Sequence, residues 1–250
     1  EDLNGNGTRD LGEPGIGGVA VTLTGTDDAG SAISVTVPSN TDGTYSFVGL
    51  LSGTYTVNES QPTGYGDGSE TAGTVGGDAT SINDQISAIA LPVGTAANGY
   101  LFGEVRDSSI SGVVYIDDNN DGVQQLGEAP IGGVTVTLAG TTGAGTLVAL
   151  STTTGPTGTY TFPNLAPGTY VVAEVQPIGF LDGMDSAGST GGDATTTNDV
   201  ISAIVLESNE NSNDNNFGEL EAASVEGVVV DDQGNPISGV TIVLTGTDEN

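Results

Sequence analysis

The 250-residue chain contains no cysteine, no histidine and no lysine. Without cysteine it forms no disulfide and no thiolate zinc site. Without histidine it lacks the usual general base and the commonest transition-metal ligand. The only cationic side chains are Arg9 and Arg106. That excludes nucleic acid as a partner, because phosphate binding needs cationic groups to displace counterions. Anionic membrane surfaces are excluded on the same ground. No apolar run is long enough to insert in a bilayer, and no signal peptide is visible. Aromatics make up only 5% of the residues, and no window carries a sustained helical period.

In place of these stand 33 acidic residues, for a formal net charge of −31. A compact chain with that charge repels itself unless cations gather on it, and divalent cations are the natural candidates. Solubility in a salty medium is the plainer reading. Glycine is abundant, at 41 residues, and serine and threonine runs are common. This composition suits short β-branched strands joined by tight turns. A hydrophobic fraction of 35% allows one or two modest cores. The chain opens "EDLNGNG", without methionine, and reads as a mature or excised piece of something longer.

The chain repeats itself. "GEPGIGGV" at 12–19 matches "GEAPIGGV" at 127–134, "GTYSF" at 43–47 matches "GTYTF" at 158–162, and "FGE" recurs at 102 and 217. Every pair is separated by 115 residues. A third copy begins at the same spacing, with "SVEGVVV" at 224–230 against "SISGVVY" at 109–115. Its "PISGVTIVLTGT" at 236–247 then matches "PIGGVTVTLAGT" at 130–141 at an offset of only 106. Nine residues are missing, and the plain turn "DDQGN" stands in their place. Three units follow: residues 1–108, a β-sandwich repeat lacking its first strand; 109–222, a complete repeat; and 223–250, a partial third repeat of two strands. The missing first strand belongs either to a flanking part of a longer array or to a neighbouring molecule.

In the second copy, strands are expected over 110–116, 133–140, 146–154, 159–163, 169–176, 200–206 and 214–220. Val134, Val136 and Leu138 alternate with Thr135 and Thr137, and Tyr170, Val172 and Glu174 share one face of another strand. Seven short strands in about 110 residues read as an immunoglobulin-like β-sandwich, so the fold is all-β in tandem.

Between the first two strands lies "DDNNDGVQQLGE", which satisfies the calcium-loop pattern D-x-[DN]-x-[DN]-G-x5-E. Its candidate ligands are Asp117, Asn119, Asp121, the Val123 carbonyl and Glu128. In the first copy they are Asp2, Asn4, Asn6, the Thr8 carbonyl and Glu13. Calcium takes six to eight hard oxygens; the glycine at position six reverses the chain and the glutamate at twelve closes the cage. A bare Asp/Asn/Gly turn has no need of the displaced glutamate. Asn6 replaces an aspartate, so the first loop is expected to bind more weakly. A second acidic group lies in the long loop 177–199: Asp182, Asp185, Asp193, Asn198 and Asp199, matched by Asp67, Glu70, Asp78, Asn83 and Asp84. It reads equally as a further cation site or a solvated loop.

The stretches "SGVVYIDDNNDGVQQLGEAPIGGVTVTL", "GTYTFPNLAPGTYVVAEVQPIGF" and "GGDATTTND" resemble the SdrD B-like repeat, a relative of the collagen-adhesin B-type domains of bacterial surface proteins. The resemblance covers nearly the whole chain. It implies a β-sandwich with Ca2+ in the loop after the first strand. It also implies a stalk that holds a head domain away from the cell, hence an extracellular, cell-surface location. The short third copy looks more like the carboxypeptidase-regulatory or plain collagen-adhesin B-type variant, which does not use that loop. The lysine–asparagine isopeptide bond of many such domains is impossible here. The reading is a non-enzymatic, calcium-stabilised spacer whose partners are the neighbouring repeats. A filament of identical molecules joined by strand addition is the alternative, and a ligand-binding adhesive module is a second. The four-residue link "RDSS" is too short to let the repeats swing freely. With no nucleophile–base set, catalysis is the least favoured reading.

Overall fold

The computed structural model describes residues 1–246, and all regular structure among them is β. The first repeat contributes β1 (Ala20–Asp27), β2 (Ala32–Pro38), β3 (Gly53–Glu59), β4 (Gly66–Thr71), β5 (Gln85–Leu91) and β6 (Leu101–Val105). The second contributes β7 (Ser108–Ile116), β8 (Thr135–Thr142), β9 (Leu147–Thr153), β10 (Thr159–Leu165) and β11 (Gly168–Glu174). It continues with β12 (Phe180–Asp182), β13 (Val200–Leu206), β14 (Asn211–Ser212) and β15 (Phe217–Glu221).

The second repeat is a two-sheet sandwich. One sheet runs β13-β11-β8-β9 and the other β10-β7-β15-β12, with β14 also pairing β7. Alternation along the strands drives the layering: Val136 and Leu138 turn inward while Thr135 and Thr137 do not. The core between the sheets joins Ile110 and Val114 to Tyr160, Phe162, Tyr170 and Phe217. The strand expected over 133–140 runs two residues later, because Gly133 and Val134 are spent bonding the Thr154 end of β9. Two short strands, β12 and β14, stand where loops were expected.

The first repeat keeps only part of this plan. Its sheet β2-β1-β3-β5 is complete, but the opposing sheet is reduced to β4-β6. Residues 44–50, the counterpart of β10, form no strand. Their partner would be the counterpart of β7, and a strand without a ladder partner has no cross-strand hydrogen bonds to hold it.

The expectation of two strands in the third copy is not met. Among the described residues after 222, Val230 and Pro236 make a single antiparallel bridge and no named strand forms. Residue 247, the end of the second expected strand, and the rest to 250 lie outside the described residues. Val225, Val228, Ile242 and Val243 are exposed, with no sheet over them to bury an apolar face.

Candidate metal centres

Each calcium-type loop turns its first and last carboxylates inward, while Asp121 and Asp10 stay exposed. Asp117 is fully buried; its Oδ2 accepts from Gly122 N–H at 2.7 Å and its Oδ1 from Asp121 N–H at 3.2 Å. Glu128 closes the loop, accepting from Asp118 N–H at 3.2 Å and Gln125 N–H at 2.7 Å. Asn119 donates to Asp121 at 2.9 Å. Gly122 takes φ 72 and Gly7 φ 74, the reversal the sixth position requires. In the first loop Asp2 accepts from Gly5 and Gly7 N–H, both at 2.7 Å, and Glu13 from Leu3 N–H at 2.9 Å and Asp10 N–H at 2.7 Å. Thr8 N–H donates to Asn6 at 2.7 Å.

One loop residue was passed over in the sequence. Asp10, at position nine, accepts from Asn4 Nδ2 at 2.9 Å and from Asn6 Nδ2 at 2.8 Å. Those two bonds hold its carboxyl below the usual aspartate range. It stands where the second loop has Gln125, so the first loop recovers the carboxylate that Asn6 gave up. The charge argument for weaker binding therefore loses its basis.

A second centre lies beside each loop. In the second repeat, oxygens of Glu174, Asp199 and Glu219 approach within 4.8 Å of one another. Glu174 is 7% exposed and Glu219 0%. Both Glu174 oxygens and one oxygen each of Asp182, Asp185, Asp199 and Glu219 are buried without a hydrogen-bond donor. The first repeat repeats the arrangement at the 115-residue offset, with Glu59, Asp84 and Glu104 together and Asp67, Glu70 and Asp84 together. Gln176 donates to Glu219 and Gln61 to Glu104.

Burial and like charge act on these groups in one direction. Burial, then Asp84, pushes Glu59 up to about 7; burial, then Glu59, pushes Glu104 to about 8. Burial, then Asp182, pushes Asp185 to about 7. Burial is also the first cause that raises Glu174, Asp199 and Glu219. Buried carboxylates without donors are costly unless a proton or a cation meets them. Oxygen-only ligands of this kind suit a hard divalent ion.

Glu174 and Glu219, with Glu59 and Glu104, were missing from the candidate ligands. The available signal was Glu174 in phase with the core-facing Tyr170 and Val172. Conversely, Asp193 stands apart from the cluster. Thr196 and Thr195 hydroxyls and N–H groups cap it in a turn and hold it low, at about 2. Its backbone pairs with Ser202, next to Ala203 at φ 54 in the bulge of β13, and Asp78 pairs with Ser87 in the same way. Asn198 and Asn83 are exposed.

Loop and cluster share a backbone. Asp117 N–H donates to the Glu219 carbonyl at 2.8 Å, as Asp2 does to Glu104 at 2.7 Å. The first loop also meets the second repeat. Ser208 N–H donates to the Leu3 carbonyl at 2.8 Å, Ser208 Oγ to Glu1 at 2.9 Å, and Arg106 N–H to Ser208 Oγ at 2.7 Å. The Arg106 guanidinium pairs with Glu1 at 3.5 Å and lies 4.5 Å over the Tyr65 ring. A Cβ on Gly143 would stand 1.8 Å from the Asn4 carbonyl oxygen, so only glycine admits the loop there.

Among known proteins, the SdrD B-like domain family matches residues 1–103 and 108–219. Serine-aspartate repeat-containing protein F of Staphylococcus epidermidis is 34% identical over 193 residues, which covers 76% of this chain and 11% of that protein. Serine-aspartate repeat-containing protein C of Staphylococcus aureus is 32% identical over 224 residues, 88% of this chain and 22% of that protein. The chain thus spans a minor part of either relative. The minor pilin GBS52 of Streptococcus agalactiae aligns over 86% of this chain and 88% of its own, at TM-score 0.31 and 12% identity. The shaft pilin SpaA of Lactobacillus rhamnosus GG aligns over 90% of this chain and 95% of its own, at TM-score 0.30 and 12% identity. With the family matching both repeats, and relatives above 30% identity across most of this chain, the chain belongs to the SdrD B-like domain family, as a cell-surface module.

Proposed function

We propose that the chain is a calcium-stabilised structural spacer, a stalk segment of a larger extracellular surface protein. The observation that carries the reading is the set of buried carboxylate oxygens in the second repeat that accept no hydrogen bond, matched in the first repeat by the Glu59, Asp84 and Glu104 cluster with Asp84 Oδ1 likewise unbonded, each cluster joined through one backbone hydrogen bond to a loop of calcium-type spacing. Bound Ca2+ supplies the positive charge those groups lack. Asp117, Asn119, Asp121, the Val123 carbonyl and Glu128 would hold one ion, with Asp2, Asn4, Asn6, the Thr8 carbonyl and Glu13 as the twin set and Asp10 beside them. Glu174, Asp182, Asp185, Asp199 and Glu219 fit a further ion. Because the first loop is bonded to Ser208 of the second repeat, ordering it also fixes the joint between repeats. Stiffness at the joint is the property a spacer needs, and the short "RDSS" link and the loop's bonds to Ser208 both serve it.

Calorimetry with and without chelator tests this. Calcium at a hundredfold excess over its dissociation constant stabilises the chain by about 2.7 kcal/mol. The Tm in excess EDTA is therefore lower than in millimolar calcium. An identical transition in both buffers refutes the reading. Terbium luminescence adds a site-resolved check, because the buried Tyr115 ring lies close to Asp117 and Glu128. Asp117→Asn should remove the tyrosine-sensitised signal from that loop while Asp2→Asn leaves it in place.

A further inference from the structure

We propose that the first loop is a guarded deamidation site: its closed form, seated against the second repeat, keeps Asn4 and Asn6 from cyclising onto the glycines that follow them, and opening releases both. The chain holds three Asn–Gly steps, Asn4–Gly5, Asn6–Gly7 and Asn98–Gly99. Such a step is open to cyclisation because glycine has no Cβ to shield its nitrogen or restrict its backbone. The glycine nitrogen gives up its proton and attacks Cγ of the asparagine. The Cγ–Nδ2 bond breaks, and Nδ2 leaves as ammonia with that proton. Water then opens the succinimide at either of its C–N bonds, to aspartate or to isoaspartate. Each conversion consumes one water and releases one ammonia, with no change of oxidation state.

The three steps share a backbone conformation and differ in surroundings. Gly5, Gly7 and Gly99 have φ of 70, 74 and 77. Asn98 and Gly99 are both exposed, whereas Gly5 and Gly7 are buried. In the loop, nitrogen and amide are held by different partners. Gly5 N–H donates to Asp2 Oδ1 and Gly7 N–H to Asp2 Oδ2, each at 2.7 Å. Asn4 Oδ1 accepts from Asn6 N–H at 3.1 Å, and Asn6 Oδ1 from Thr8 N–H at 2.7 Å. Both Nδ2 groups donate to Asp10, at 2.9 Å from Asn4 and 2.8 Å from Asn6. Attack therefore requires breaking charge-assisted bonds to Asp2 and to Asp10 together. The second repeat adds a wall. A Cβ built on Gly5 lies 3.5 Å from Pro167 Cβ, and the Asn4 carbonyl lies against Gly143. The second loop has Asn119–Asn120 and Asp121–Gly122 at the matching places, so the liability and its guard belong to the first loop. Reclosure does not undo the reaction. Isoaspartate adds a carbon to the backbone and puts the loop donors out of register, so a loop that stays open long enough no longer seats, and the joint loosens with it.

The test is to age the full chain at mildly alkaline pH, in calcium and in EDTA, and to map each asparagine by peptide mass spectrometry. In calcium, Asn98 should convert about tenfold or more faster than Asn4 and Asn6, the protection expected when reaction waits on local opening. Asp2→Ala removes the acceptor of both glycine N–H groups and should bring Asn4 and Asn6 up to the rate of Asn98. Gly143→Ala leaves every loop residue in place, pushes on the Asn4 carbonyl, and should speed Asn4 while Asn98 keeps its rate. Asn4 and Asn6 that keep pace with Asn98 in the parent chain in calcium overturn the proposal. So does their unchanged ageing in both variants. Only the EDTA arm rests on the calcium reading above. Faster loss of Asn4 and Asn6 in EDTA supports guard and ion together. Undiminished protection in EDTA, beside a fast Asp2→Ala variant, supports the guard and counts against the ion.

Discussion

The two repeats share one template, but residues 1–107 hold no counterpart of β7 and form no strand at the places of β10 and β14. In the second, Tyr160 and Phe162 are each 3% exposed, and Phe217 is wholly buried. In the first, their counterparts Tyr45, Phe47 and Phe102 are only half-buried, although the sequence "GTYSF" differs from "GTYTF" at one position. A nine-residue strand contributes more than its own ladder: it seals both edges it touches and turns a half-wet aromatic row into a core. Burial in a sandwich is thus cooperative across strands, and local sequence identity does not guarantee local structure.

The comparison can be broken where it is strongest. Phe162→Ala should cost about 3–5 kcal/mol in denaturant unfolding, the range for a buried aromatic. Phe47→Ala should cost clearly less. Placing the β7 sequence ahead of Glu1 should bring the two costs together, and equal costs without it would mean that this strand does not govern the burial of Phe47.

The joint comes next. Gly143→Ala sets a methyl group against the Asn4 carbonyl, and overpacking of this kind costs about 1–3 kcal/mol. The relief available is for the first loop to lift from the second repeat. Small-angle scattering should then show a broader range of interdomain distances than in the parent. An unchanged profile would mean the loop does not set the joint.

The smallest expected effect is on pH. Glu59, Glu104 and Asp185 have folded-state values of about 7, 8 and 7, above ordinary carboxylate values of 4.5 for glutamate and 3.8 for aspartate. Protons therefore bind the folded state preferentially. Their stabilisation is complete below the unfolded values and is lost as pH rises through the folded ones. In EDTA, Tm should fall between about pH 5 and 8, by an amount tempered by the partial exposure of these groups. In calcium the trend should flatten or reverse over the same window, since deprotonation favours the ion. Parallel pH profiles in the two buffers would separate the cluster from calcium binding.

Much of this was legible in the sequence. The all-β class, the tandem period and both loops follow from alternation and from residue spacing within single short segments. Glu128 is eleven residues from Asp117, and loop closure over that distance is local. The glutamates of the buried cluster were not legible as ligands. Glu174 and Glu219 sit on separate strands of opposing sheets, and nothing in either segment names the other. Asp193 carried the right chemistry in the right loop, but Thr195 and Thr196 capture it in a turn.

By itself the sequence determined composition, charge, period and the chemistry of the loops, because each is a property of the chain over distances of a few residues. Only the tertiary structure decided which carboxylates meet, that the first loop presses on Ser208 and Gly143, and that Tyr45 and Phe47 are half-buried where Tyr160 and Phe162 are buried. Those outcomes depend on strand pairing between segments far apart in the chain, where the physical cost or gain is set by what the partner strand buries.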